Sequence, residues 1–145
     1  MSSPPPAVDV PALVASMKTV AVVGLSPDAS RTSHRVAAYL QNAGIRVVPV
    51  HPRHEEILGE RAYPSLLAVP EEVGVDVICV FRQPEFAAET VQDAADRRDR
   101  TEQNPVVWTQ IGVSSPEAAR IAASEGLPYV ADRCLMAEHA AHVGA

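Results

Sequence analysis

Residues 19–33 read Thr-Val-Ala-Val-Val-Gly-Leu-Ser-Pro-Asp-Ala-Ser-Arg-Thr-Ser. The first five are β-branched or small and apolar, which is typical of a short strand that is buried on both faces. Gly24 ends this run, and from Ser33 onward apolar residues recur at helical spacing. The stretch therefore predicts a strand, a polar loop and a helix, the opening unit of a parallel α/β sheet.

The same alternation of strand and helix patterns continues to the end of the chain. Further strands are predicted at 45–50, 75–81, 106–109 and 128–131, with a very short one inside 61–67. Helices are predicted over 9–17, 33–42, 84–98, 115–126 and 134–142. We expect a three-layer, Rossmann-like open parallel sheet with strand order 3-2-1-4-5-6. It forms a single domain over residues 9–145, after a disordered, Pro-rich lead over residues 1–8.

Composition argues against several classes of protein. The chain has 145 residues, 47% of them hydrophobic and 21% charged, as in ordinary globular proteins. No apolar run reaches the ~18 residues of a membrane span, and residues 1–6 do not resemble a secretion signal. A net charge of −6 and 4% aromatic residues disfavour a nucleic-acid partner. The two cysteines lie far apart in sequence, so we expect a reducing, cytoplasmic compartment.

In such a sheet, a ligand binds beyond the carboxyl ends of the strands, where the strand order reverses. The loop over residues 24–33 lies there and precedes a helix N-terminus, whose free N–H groups favour an anion. Its Gly24 permits close approach, and its Arg31 adds a cation. Hydroxyl groups come from Ser26, Ser30 and Ser33. We predict a phosphate cradle, while a polar turn with an ordinary serine cap stays open as the alternative.

The loop lacks the fingerprint of a dinucleotide site. Gly24 is its only glycine, so the Gly-x-Gly-x-x-Gly pattern is absent. The second strand ends in His51-Pro52 and not in an acid that could bind the ribose of NAD. An adenosine that carries a 3′-phosphate tolerates a missing acid better, and Arg53, Arg31 and His51 are basic candidates near that edge.

Several segments together resemble a known family, the small stand-alone CoA-binding proteins, which are similar to the N-terminal domain of the succinyl-CoA synthetase α subunit. The matching segments are 20–26 (V-x-V-V-G-x-S), 50–52, 81–84, 108–113 and 132–139, with Arg31 and Ser33. The family more usually has Asn where this chain has His51. The synthetase carries its phosphorylated histidine on a further domain, for which 145 residues leave no room. The resemblance therefore implies binding of CoA or acyl-CoA, without ligase activity.

The resemblance implies a role for each loop at the sheet edge. The pyrophosphate contacts are Gly24, Ser26, Arg31 and Ser33. The adenosine end is contacted by His51 and Pro52. The wall at the reversal point is formed by Phe81, Arg82 and Pro84. The pantetheine arm is approached by Gln110, Gly112 and Cys134. We expect no catalytic residue, no metal, and no nucleic-acid or membrane partner, and we leave open a homo-oligomer or a protein partner.

Three competing functions stay open. Cys134, beside Arg133 at a helix start, could serve a small thiol-dependent acyl-transfer or redox enzyme, although burial in the core is an equally ordinary fate. His139 lies five positions after Cys134 and is turned away from it, so we expect Glu138 and His139 to fix the last helix instead. A second possibility is an NAD(P)-binding regulator, and a third is a structural subunit that docks a larger protein.

Overall fold

A computed structural model describes residues 4–144. Its main sheet contains five strands: β1 (Thr19–Val23), β2 (Arg46–Val50), β5 (Val77–Val80), β6 (Val106–Thr109) and β7 (Tyr129–Ala131). A separate hairpin pairs β3 (Glu56–Ile57) with β4 (Glu60–Arg61). The helices are α1 (Val10–Ser16), α2 (Thr32–Asn42), α3 (Ala87–Thr101), α4 (Pro116–Glu125) and α5 (Leu135–His142).

Helices cover both faces of the sheet. On one face, α1, α2 and α5 bury side chains such as Val14, Leu40 and Leu135 against β1 and β6. On the other face, α3 and α4 bury small residues such as Ala94 and Ala122. All four residues of β5 are buried, as expected for a strand covered on both sides. The predicted three-layer α/β class is confirmed.

Short polar signals set the helix ends. Asp9 accepts a hydrogen bond from the amide of Ala12 at 3.1 Å and caps α1. Ser115 caps α4 in the same way, through the amide of Ala118 at 3.1 Å. Gly126 ends α4 in the left-handed region, with φ of +69°. These predicted boundaries are therefore confirmed to within a residue or two.

The strand order differs from the prediction at one edge. The sheet runs β2-β1-β5-β6-β7, all parallel, so the order reverses between β1 and β5 as expected. The predicted third strand is wrong as a strand, because it is reduced to one parallel bridge between Val50 and Tyr63. Tyr63 makes both backbone hydrogen bonds of that bridge, to the oxygen of Pro49 and from the amide of His51, and the pairing ends there.

The predicted disordered lead falls partly outside the described residues, which begin at residue 4. Residues 4–9 form no regular secondary structure, and Val8 packs against the hydrophobic core. Within residues 4–144, the longest helices are too short or too polar to cross a membrane.

Candidate functional site

The crevice lies where the neighbouring strands β1 and β5 end. Gly24 follows β1 with φ of +86°, a conformation that side chains rarely adopt. A Cβ atom at this position would lie 3.0 Å from the carbonyl oxygen of Phe81, which follows β5. The backbone of these two predicted site residues therefore approaches so closely that only glycine fits at residue 24.

The N-terminus of α2 faces this crevice without a protein cap. Arg31 occupies the N-cap position, and its side chain accepts no capping hydrogen bond. The first amide with a backbone acceptor in the helix is that of Arg35, which donates to the oxygen of Arg31 at 3.2 Å. Among residues 4–144, no hydrogen bond uses the amides of Thr32, Ser33 and His34. These N–H groups and the helix dipole favour an anion in front of them.

The space in front of these amides is a cleft of about 330 Å³, which we call the α2 cleft. It is lined by Gly24, Ser26, Ser30, Arg31, Thr32, Ser33 and Phe81. All four predicted pyrophosphate residues are thus in one place. Arg31 is exposed and makes no ion pair among the described residues, so its guanidinium is available to a ligand.

The serines shape the loop as well as line it. The hydroxyl oxygen of Ser33 accepts the amide of Ser26 at 2.9 Å, and that of Ser26 accepts the amide of Asp28 at 3.1 Å. Both hydroxyl protons remain available as donors. Ser30 donates its amide and hydroxyl to Asp28, and these bonds lower the pKa of that carboxyl. The hydroxyl proton of Ser30 is therefore used within the loop.

The end of β2 borders a second and larger space, the β2 cavity of about 740 Å³. It is lined by residues 51–56 together with Arg61, Ala62 and Pro64. Nδ1 of His51 accepts the amide of Arg53 at 3.0 Å, which leaves Nε2–H as a donor in the neutral ring. Burial lowers the pKa of His51, and the nearby His54 and Arg53 lower it further.

A third space, the α3 cavity of about 280 Å³, joins the other two. It shares Gly24 with the α2 cleft, and it shares Pro52 and Pro64 with the β2 cavity. Its remaining walls are apolar residues at the strand ends (Val23, Val50, Leu66) and polar residues (Ser65, Arg82, Glu89, Thr90, Asp93). The three spaces therefore lie side by side along the carboxyl edge of the sheet, from α2 to the hairpin, and we call them together the groove.

The predicted wall at the reversal point is formed in part. The guanidinium of Arg82 lies 4.8 Å from the centre of the Phe86 ring and donates to the hydroxyl of Thr90 at 3.3 Å. The carboxylate of Glu89 lies 3.9 Å from the guanidinium of Arg82. Arg82 thus lines the α3 cavity, and its guanidinium contacts two residues of α3, Glu89 and Thr90. Pro84 begins an exposed 3-10 turn and lines none of the three cavities.

The loops after β6 and β7 are closed by internal hydrogen bonds. The buried Gln110 accepts the amide of Leu135 at 2.9 Å and the thiol of Cys79 at 3.7 Å. Asp132 accepts the amide of Gly112 at 3.1 Å. These bonds fix the start of α5 and the turn around Gly112, so two of the three residues predicted near the pantetheine arm, Gln110 and Gly112, have structural partners.

Cys134 lies half-buried immediately before α5. Burial raises the pKa of Cys79, which is fully buried, and the neighbouring Cys134 raises it further. The predicted anchoring of the last helix is confirmed by two contacts. Glu138 pairs with Arg133 at 3.3 Å, and Nδ1 of His139 is 2.9 Å from the hydroxyl of Tyr39. Residues 4–144 contain no cluster of His, Cys, Asp and Glu placed to hold a metal.

Sequence patterns alone did not reveal the polar side of the α3 cavity. Glu89, Thr90 and Asp93 belong to a helix that was predicted only as a cover for the sheet. The spacing of two of these residues could have indicated it, because Thr90 and Asp93 lie three residues apart and therefore share one face of the helix.

Comparisons with known proteins identify the family of this chain. The protein YneT of Bacillus subtilis (strain 168) is 35% identical over 123 residues, which cover 85% of this chain and 86% of YneT. An ADP-forming acetate–CoA ligase (I) of Archaeoglobus fulgidus is 40% identical over 63 residues, which cover 43% of this chain and 9% of the ligase. A solved protein of Pyrococcus horikoshii OT3 superposes with a TM-score of 0.85 at 35% identity, covering 94% of this chain and 91% of that one. Residues 18–140 match the profile described as "CoA binding domain". The chain therefore belongs to the CoA-binding domain family.

Proposed function

We propose that this protein binds coenzyme A or an acyl-CoA along the groove at the carboxyl edge of its sheet, without catalysing a reaction on it. One observation carries the proposal. The uncapped N-terminus of α2 opens on the α2 cleft beside the free Arg31, which is the arrangement that a diphosphate requires. The three unused amides suit an anion better than they suit a neutral group.

The groove also offers neighbouring spaces for the two ends of such a nucleotide. From the diphosphate position, the α3 and β2 cavities extend toward His51 and Pro52, where we place the adenosine end. In the other direction lie the loops of Gln110, Gly112 and Cys134, where we place the pantetheine arm. We assign Gln110 a positioning role, because its oxygen is used by Leu135. The two free thiols agree with the cytoplasm as the compartment.

The thiol-dependent enzyme has less support. Cys134 would need a neighbouring base, and the two candidates on α5 are engaged elsewhere: Glu138 with Arg133 and His142, and His139 with Tyr39. The NAD(P)-binding alternative is weakened because the residue after β2 is His51, which offers no carboxylate to a ribose.

Titration calorimetry tests the proposal with CoA, NADH, NADPH and pantetheine as separate probes. We expect saturable binding of CoA at one site per chain, with pantetheine much weaker because it lacks the diphosphate. Binding of NADH or NADPH in the absence of CoA binding would contradict the proposal. Mass spectrometry of the natively purified protein supplies a second readout, through the mass of a retained nucleotide.

A further inference from the structure

The α3 cavity contains a polar group that the bound diphosphate would not use. Asp93 lines this cavity from α3 and is half-buried. Within residues 4–144 its carboxyl group makes no hydrogen bond and no ion pair. The other inward-facing groups are engaged, since Arg82 donates to Thr90 and Thr90 donates to the backbone oxygen of Phe86. The other carboxylate of the lining, Glu89, is exposed and lies 3.9 Å from the guanidinium of Arg82. Asp93 is therefore the half-buried carboxylate that is left without a partner among the described residues.

The surroundings of Asp93 disfavour a carboxylate without a donor. Burial raises its pKa, and the nearby Glu89 and Asp96 raise it further, while Arg82 opposes them. A half-buried polar group without a partner costs free energy on folding. An N–H donor on a ligand in the cavity would relieve that cost, whereas a second acceptor would increase it.

The rest of the cavity suits a flat, largely apolar ring. Val50, Pro52 and Pro64 supply apolar surface at the end of β2 and in the loop after the hairpin. A volume of about 280 Å³ admits a purine. Because the cavity shares Gly24 with the α2 cleft, a ring placed here remains connected to a diphosphate at α2.

We propose that the α3 cavity receives the adenine ring of the nucleotide and that Asp93 selects it by accepting a hydrogen bond from the 6-amino group. This inference rests on the proposed function, which supplies the nucleotide. A purine with oxygen at position 6 presents an acceptor to Asp93, so the carboxylate repels it. Asp93 is thus a specificity-determining residue for the base, a role separate from phosphate binding.

The first test compares CoA with its hypoxanthine analogue, in which the 6-amino group is replaced by oxygen. We expect the wild-type protein to prefer CoA by about tenfold, the effect of one mispaired hydrogen-bonding group. Asp93→Asn should lose or reverse this preference, because an amide can also donate. The matched control is Asp96→Asn on the same helix, whose carboxylate accepts from Gln92 at 3.2 Å and does not line the cavity. Equal wild-type affinity for both compounds would overturn the inference.

A second test separates this inference from the proposed function. Adenosine and inosine, which carry no phosphate, are titrated into the labelled protein while the backbone amide signals of Gly24, Thr90 and Asp93 are followed by NMR. Larger shifts with adenosine support the base cavity even if CoA itself fails to bind, and that failure then counts against the proposed function alone. Equal shifts with both nucleosides, or none with adenosine, overturn the base cavity. The wild-type comparison decides the matter even if Asp93→Asn does not fold.

Discussion

The loop after β1 and the loops after β6 and β7 occupy the same edge of the sheet but use their polar groups differently. After β1, the first-turn amides of α2 have no acceptor in the described chain, and Arg31 is exposed. After β6 and β7, polar groups are paired: Trp108 donates to the oxygen of Arg133 at 2.8 Å, and Gln110 and Asp132 accept backbone amides.

This difference separates the part of the edge that is open to a ligand from the part that supports the loops. Unused donors beside an open cleft are available to a ligand, whereas buried groups with internal partners hold a wall in place. In sequence the two kinds look alike, because each is a polar residue just after a buried strand. The comparison therefore predicts that removing a polar side chain costs affinity on the α2 side and stability on the β6–β7 side.

Two glycines sharpen the comparison at the level of the backbone and give the largest expected effect, because both have positive φ and only one is crowded. Gly24→Ala places a Cβ atom 3.0 Å from the oxygen of Phe81, in addition to the strain of φ at +86°. We expect it to lower the free energy of unfolding by about 2–4 kcal/mol. Gly112→Ala, with φ of +82° and nothing within 4 Å of the new Cβ, should cost only about 1–2 kcal/mol.

Urea denaturation of the two variants measures this difference directly. Equal losses would mean that the approach between the ends of β1 and β5 is not tight, and the crevice would then be less constrained than described. A larger loss for Gly112→Ala would mean that the turn around Gly112 is more tightly constrained than the crevice at Gly24.

Arg31 is expected to contribute to affinity and not to stability. Arg31→Ala should weaken CoA binding by about 1.5–3 kcal/mol, the scale of a hydrogen bond to a charged group. The matched control is Arg35→Ala, one turn along α2, where the exposed guanidinium contacts only Thr32 at 3.4 Å. Calorimetry gives both affinities and thermal denaturation gives both stabilities. Unchanged affinity in Arg31→Ala would remove this residue from the site.

Gln110 is expected to behave in the opposite way. Gln110→Leu keeps most of the side-chain volume but leaves the amide of Leu135 without its acceptor, which should cost about 1–3 kcal/mol of unfolding free energy. Gln83→Leu is the control, because Gln83 is exposed and caps nothing. An affinity loss as large as that of Arg31→Ala, measured where the variant is fully folded, would make Gln110 a ligand contact and contradict the comparison.

Periodicity and end signals were enough to predict most of the fold. The β-branched runs predicted the strands of the main sheet, and Asp9 and Ser115 marked helix starts. The prediction of the third strand failed because pairing at this edge of the sheet stops after one bridge, between Val50 and Tyr63, which no hydrophobic pattern records. That the candidate residues of the α2 loop line one cleft could be predicted, because they are close in sequence. Asp93 could not be assigned, since its place in a cavity depends on β2 and the loop near Pro64, which lie far from it along the chain.

His51 offers the smallest effect and tests the adenosine side of the groove. Its pKa lies below the ordinary value of 6.5, chiefly because of burial, and protonation of Nδ1 would also break the bond from the Arg53 amide. Below that pH the unfolded chain takes up more protons than the folded one, so stability is present above the unfolded pKa and is lost as the pH falls through the folded pKa.

His51→Asn keeps an acceptor for the Arg53 amide but cannot titrate. Between about pH 7.5 and about pH 5.5, the wild type should therefore lose up to about 1 kcal/mol more than the variant. An NMR titration of the His51 ring with a midpoint above 6.5 would contradict this, and would mean that the ring carries a charge where we expect a neutral donor to face the nucleotide.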